Sequence, residues 1–168
     1  MSAIWYVMAA LLGLAAGSFC NVVIHRVPRR LSIVSPGSAC PRCGKRIAWY
    51  ENIPLASYGA LRGRCSGCGC RIPARYPLVE AAGAALAVAA VHRFGPGVEA
   101  LFAFAFLMAL LVVTLIDWDF RIIPDAISVP FIAIGFVWSL VSPELTLAGS
   151  ILGALAGGGG LLAVGLLY

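Results

Sequence analysis

Leu115-Ile116-Asp117-Trp118-Asp119-Phe120-Arg121-Ile122-Ile123-Pro124-Asp125 is the stretch that decides how this chain is read. It places three carboxylates within nine residues, directly after one long apolar run and directly before another. Charges cost several kcal/mol when carried toward a bilayer core, so acids this close to apolar spans are functional suspects. If the preceding run is a helix, Asp117 sits at its C-terminal end, where the macrodipole disfavours an anion. Pro124 blocks a smooth continuation, so the chain has to turn before it re-enters the apolar phase. The competing reading is a solvated hairpin whose charges only mark the water boundary.

The composition sets the class. Of 168 residues, 61% are hydrophobic and 11% charged, with a mean hydropathy of +0.96. Globular domains carry roughly 25% charged residues, so an all-α polytopic membrane protein is expected. The net charge of +5 is concentrated, with ten of the twelve basic residues between Arg26 and Arg75. That asymmetry is what the positive-inside rule produces in a cytoplasmic loop, and it argues against a nucleic-acid partner.

About five spans follow from the apolar runs: residues 3–24, 77–91, 100–116, 126–141 and 145–168. No basic residue precedes the first run, which excludes a secretory signal and puts the N-terminus outside. Gly95-Pro96-Gly97 and Ser142-Pro143-Glu144 then form outer turns, while the Asp117 hairpin returns to the cytoplasmic side. Glu80 reads as a first-turn acid favoured by the helix dipole, and Asp125 as the N-cap of the fourth span. Cys20 reads as a packing residue and Gly157–Gly160 as a site of close helix contact. No internal repeat or low-complexity linker is evident.

Residues 25–76 form the hydrophilic part, and five of the six cysteines lie there. In a reducing compartment these thiols are metal ligands before they are disulfides. Cys40-Pro41-Arg42-Cys43-Gly44 and Cys65-Ser66-Gly67-Cys68-Gly69 each have C-x-x-C spacing. Two such turns, each followed by a glycine, predict a tetrahedral zinc site of Cys40, Cys43, Cys65 and Cys68. A segment of about fifty residues would draw much of its folding free energy from that metal. Cys70 is a spare thiol able to substitute for Cys68, and His25 reads as an interface residue rather than a ligand. The expected organisation is a first span (1–24), a zinc module (25–76) and a membrane domain (77–168).

Several stretches jointly resemble the type IV prepilin peptidases, the bifunctional leader peptidases and N-methyltransferases. They are Gly17-Ser18-Phe19-Cys20-Asn21 through Pro28, the two C-x-x-C pairs, Asn52-Ile53-Pro54, Leu61-Arg62-Gly63-Arg64-Cys65, Arg75-Tyr76-Pro77-Leu78-Val79-Glu80, and the Asp117–Asp125 hairpin. The resemblance implies a bacterial inner-membrane aspartyl protease that cuts basic leaders from prepilin or pseudopilin precursors at the cytoplasmic face. Those precursors serve type IV pili and type II secretion. The resemblance also implies methylation of the new N-terminus from S-adenosylmethionine, although no glycine motif for that cofactor is readable. The family's first catalytic aspartate falls on Asp117, with Asp125 supporting. The family's second lies in a Gly-x-Gly-Asp stretch that these 168 residues do not contain. Aspartyl proteolysis needs two carboxyl groups sharing a proton, so this chain by itself is expected to be inactive. Asp119, Asp125 and Glu80 are the other acids within reach. The alternative function is a non-enzymatic zinc-bearing membrane scaffold or an inactive fragment.

Overall fold

A computed structural model describes residues 2–142 and 146–167, and of Leu161 the backbone alone. Two compact units divide the chain, Met1–Pro124 and Asp125–Tyr168. Among the described residues there are helices and no strands, only two isolated antiparallel bridges, Ala39 with Arg46 and Arg64 with Arg71. In the first unit the helices are α1 (Ala3–Arg26), the short α2 (Ala56–Ala60), α3 (Arg75–Phe94) and α4 (Val98–Phe120). In the second they are α5 (Asp125–Val141) and α6 (Leu147–Leu167). Helices α1, α3, α4 and α6 are long and apolar enough to cross a membrane, and α5 is a shorter apolar helix of 17 residues. The all-helical expectation therefore holds, with the expected five or so spans met by four apolar helices of spanning length and a shorter fifth. The outer turn expected at Ser142-Pro143-Glu144 lies, beyond Ser142, outside the described residues.

Helices α1 and α3 approach until backbone meets backbone. A Cβ on Gly13 would collide with the Gly83 carbonyl, and one on Gly83 with the Gly13 carbonyl. A Cβ on Gly17 would lie 2.7 Å from Glu80 Cα. Gly13 and Gly17 are spaced G-x-x-x-G, which clears a groove for a partner helix in a medium that offers no hydrophobic drive between spans. Asn21, buried one turn on, donates from Nδ2 to Gly17 O (3.3 Å) and Tyr76 O (3.1 Å). Close contact by glycine thus occurs here, while at Gly157–Gly160 an added Cβ would meet nothing among the described residues.

The buried stripe of α4 is Ala100, Phe104, Met108, Val112 and Ile116, one residue per turn. Ile116, at 0% exposure, seats the turn that carries Asp117. The helix does not stop at residue 116 as expected but runs through Phe120. Arg121 ends it by adopting a left-handed conformation (φ 55°), with its N–H donating to Asp117 O at 2.8 Å. The loop between α4 and α5 therefore shrinks to Arg121–Pro124, and Asp117 and Asp119 belong to a helix end. Helix α3 likewise starts earlier than expected, because Pro77 is tolerated within a first turn. Glu80 is consequently its sixth residue, past the first-turn position proposed from sequence.

Candidate functional site

Two arginines from neighbouring helices organise the end of α4. Arg75, the first residue of α3, pairs through Nη1 with the Asp119 carboxylate. Its Nη2 donates to Leu115 O (3.3 Å), a second contact to the last turns of α4. Arg29, just past α1, lies 4.9 Å from the Phe120 ring centroid and donates to His25 O at 2.6 Å. The ends of α1 and α3 thus clamp the turn from Leu115 to Phe120.

Asp117 stands apart in that turn. It is exposed, and among the described residues no side-chain hydrogen bond or ion pair engages it. Asp119 is two positions on, and residues so spaced do not face each other on a helix. Glu80 is buried and accepts the Leu55 N–H at 2.8 Å, holding Leu55 in a positive-φ conformation (φ 60°). Asp125 is exposed at the first position of α5, in the second unit. Of the four acids named from the sequence, two are therefore occupied and Asp117 is free to meet water or a substrate. An apolar cavity of about 270 Å³ lies at the opposite end of these helices, between Trp5, Leu12, Val91 and Phe104, well away from this carboxylate.

The cysteines converge. Sγ atoms of Cys40, Cys43, Cys65 and Cys68 all lie within 4.8 Å of one another, with Cys40 to Cys68 at 3.9 Å and Cys43 to Cys65 at 4.0 Å. Thiolates about 2.3 Å from a tetrahedral ion would be about 3.8 Å apart, so the four fit a metal. Cys70 Sγ is also 3.6 Å from Cys40 Sγ. His25 is exposed and outside the cluster.

An internal repeat builds this cluster, contrary to expectation. Cys40 N–H donates to Lys45 O, Gly44 N–H to Cys40 O, and Ile47 N–H to Ser38 O, each at 2.9 Å. Twenty-five residues later Cys65 N–H donates to Cys70 O, Gly69 N–H to Cys65 O, and Ile72 N–H to Gly63 O, at 2.8–2.9 Å. Both turns read C-x-x-C-G-x-R-I, and Gly44 (φ 72°) and Gly69 (φ 69°) supply the positive φ that closes them. Lys45 of the first turn and Ser66 of the second both bond Glu51 Oε1, and Glu51 Oε2 accepts the Ala48 N–H at 3.1 Å. Those bonds, Ser66 foremost, hold the Glu51 carboxyl down to about 2.

Protons are unevenly shared within the cluster. The amides of Cys43 and Arg42 draw Cys40 down to about 6, while hydrogen bonds to Cys68 and Cys40 push Cys70 up to about 12. Cys43 settles at about 11 despite the Lys45 amide, because burial and the neighbouring thiols favour its proton. A bound cation displaces such protons.

Known proteins match both halves of this arrangement. The model of the bacterial peptidase A24 N-terminal domain matches residues 11–94, and that of the type IV leader peptidase family matches residues 104–168. The chain is 39% identical over 160 residues to a prepilin leader peptidase/N-methyltransferase of Klebsiella pneumoniae, covering 92% of this chain and 70% of that one. The chain belongs to the prepilin leader peptidase family. A Burkholderia pseudomallei (strain 1026b) relative of the same name is 38% identical over 174 residues, covering 89% of this chain and 56% of the relative. One from Myxococcus xanthus is 52% identical over 119 residues, covering 71% and 36%. This family member thus spans about half the length of the first curated relatives it matches. No solved structure matches it.

Sequence reasoning missed the Arg75 clasp, the Leu55–Glu80 bond and the glycine seam. The last was legible in Gly13-Leu14-Ala15-Ala16-Gly17.

Proposed function

We propose that this protein is a membrane aspartyl endopeptidase of its family. It removes the leader of type IV prepilin or pseudopilin precursors at the cytoplasmic face of a bacterial inner membrane. The observation that carries the reading is Asp117: an exposed, unengaged carboxylate on a turn clamped by α1 and α3, inside the segment matched to the leader peptidases. Positioned in this way, a carboxylate can take a proton from water, while a second carboxyl protonates the scissile carbonyl oxygen. The Gly-x-Gly-Asp aspartate of the family pattern is the proposed second partner, and Asp125 supports the site. Arg75 keeps Asp119 out of the chemistry by neutralising it.

The metal is zinc, held by Cys40, Cys43, Cys65 and Cys68, and its task is to fold residues 25–76. Their chemistry fits a closed structural site, four thiols with no open position. Around it the chain is organised as first span (1–24), zinc module (25–76) and membrane protease part (77–168), with the N-terminus outside. S-adenosylmethionine is the expected methyl donor, since the relatives' name pairs the peptidase with an N-methyltransferase.

Leader cleavage of a prepilin precursor tests the assignment, in membranes where the Gly-x-Gly-Asp segment of the family is supplied together with these 168 residues. Asp117→Asn should lower turnover roughly 10³-fold or more, the scale on which one member of an acid–base pair acts. Asp119→Asn should leave it within about tenfold. Equal losses from both substitutions would reject Asp117 as the catalytic group.

A further inference from the structure

Trp49-Tyr50-Glu51-Asn52 forms a short 3-10 turn in the cysteine module, and its aromatic side chains point away from the protein. Trp49 is 81% exposed and Tyr50 58%, the two rings meeting edge to face with centroids 5.7 Å apart. Ile53 and Leu55 beyond them are also exposed. Apolar surface of this size on a water-facing domain calls for a partner.

Depth identifies the partner. Leu55 N–H is held by Glu80, five residues past the start of α3, which is about 7.5 Å along a helix rising 1.5 Å per residue. Helix α1 gives a second ruler. Gly17 packs on Glu80, and it precedes His25 by eight residues, about 12 Å, with no charged residue between. By both measures the loop after the 3-10 turn descends below the level where basic residues begin, into the apolar end of the helix bundle. Irregular backbone survives there because Glu80 satisfies its amide. Trp49 is six residues from Leu55, and three of those steps lie in the 3-10 turn at about 2 Å each, so both rings lie within about 17 Å of that anchored amide. Charge agrees, because residues 25–76 carry ten basic side chains and one acid, Glu51, which is already bonded to Lys45.

We propose that Trp49, Tyr50 and Ile53 form an interfacial anchor that seats the cysteine module on the bilayer leaflet nearest to it. The aromatic rings lie at headgroup depth, and the module's arginines face the phosphates of anionic phospholipids. Trp and Tyr are the residues that favour this zone, since each combines an apolar ring with a polar edge. The inference rests on the membrane placement of α1 and α3 and not on the catalytic assignment of Asp117.

Tryptophan emission tests it, with the full chain reconstituted in phosphatidylethanolamine–phosphatidylglycerol vesicles. One set of vesicles carries lipids brominated high on the acyl chains. Wild type minus Trp49→Phe isolates the Trp49 signal, and unchanged metal and helix content certifies the variant's fold. A chain retaining Trp49 as its sole tryptophan, with Trp5, Trp118 and Trp138 replaced by Phe, reads the signal without subtraction. The expected result is a blue-shifted component, quenched about twofold by bromine and shielded from aqueous acrylamide, as a ring in the interfacial belt would be. Equal emission in brominated and plain vesicles, with full acrylamide quenching, would overturn the anchor and leave a patch for a water-borne protein. Vesicles of phosphatidylcholine alone should weaken the bromine quenching. Undiminished quenching there would overturn the arginine–phosphate part of the proposal.

Discussion

Where α1 meets α3, no side chain separates the backbones at Gly13, Gly17 and Gly83, whereas the two cysteine turns are joined by thiols, a lysine, a serine and a glutamate. The helix seam holds by shape, and its contacts carry no proton or metal that a change of solution could remove. In the module, each of those links titrates, coordinates or bonds to a group that does. The same unit therefore contains one region tuned to steric change and another tuned to chemical change. Asp117 lies on neither, on a last turn of α4 that Arg29 and Arg75 clamp from the ends of α1 and α3.

Metal removal should separate the two regions most sharply. Structural zinc contributes on the order of 10 kcal/mol or more to folding in small zinc peptides. Chelation or Cys40→Ser should open residues 25–76 to protease while α1, α3 and α4 remain protected, with zinc content followed by elemental analysis. Cys68→Ser should lose less metal than Cys40→Ser, because the Cys70 thiol already lies 3.6 Å from Cys40. Simultaneous loss of the helix bundle would mean the two regions are not independent. Iron–sulfur absorbance, or no metal in carefully purified protein, would remove the zinc assignment.

Next in size is the seam. Gly83→Ala puts a methyl against the Gly13 carbonyl, and neither backbone can yield without shifting a whole helix. Overpacking of this kind costs about 1–3 kcal/mol. The expected outcome is a lower unfolding midpoint in micelles at undiminished zinc content. An unchanged midpoint would show that the helices slide freely and that the seam is not sterically locked.

What the sequence disclosed follows the same division. Apolar runs and C-x-x-C spacings are local signals, and they located the helices and the cysteine cluster without any knowledge of pairing. Arg75 with Asp119, 44 residues apart, and Leu55 with Glu80, 25 apart, depend on how α3 registers against its neighbours. No periodicity encodes that register, so the sequence offered Asp119 and Glu80 only as other acids near Asp117 and gave neither a partner. The repeat was overlooked for another reason. Only five residues recur within eight positions, C-x-x-C-G-x-R-I, too short to stand out at the scale of spans but long enough to fix a turn and its flanking bridge. Charge marks the water boundary and not the end of a helix, so α4 runs one turn past its apolar stretch and Arg121 closes it after the charges.

Smaller still is the clasp. Arg75 and Asp119 side chains are each about one-third exposed, at 33% and 32%, which limits such a pair to about 1 kcal/mol or less. A double-mutant cycle of Arg75→Ala and Asp119→Ala on thermal stability should return a coupling of that order. A coupling of several kcal/mol would move this end of α4 into the chemically held class. No coupling at all would assign the clamp to Arg29 and packing alone.

The smallest expected effect lies in the carboxylate that ties the two cysteine turns together. Glu51 is held at about 2, below its ordinary 4.5, by Ser66, the Ala48 amide and Lys45. A folded-state pKa below the unfolded value means the folded form favours the anion. Its contribution is therefore complete above about pH 4.5 and fades as the pH falls toward 2. Zinc thiolates also take up protons on acidification, so total stability cannot isolate this one group. The difference between wild type and Glu51→Gln can, because both chains keep the same cysteines. That difference in thermal midpoint should be small and constant from pH 7 to 5, then shrink steadily toward pH 3. A difference that stays constant down to pH 3 would mean Glu51 acts through its shape and hydrogen bonds rather than its charge. The module would then be tuned by metal alone, and the contrast with the glycine seam would rest on the cysteines.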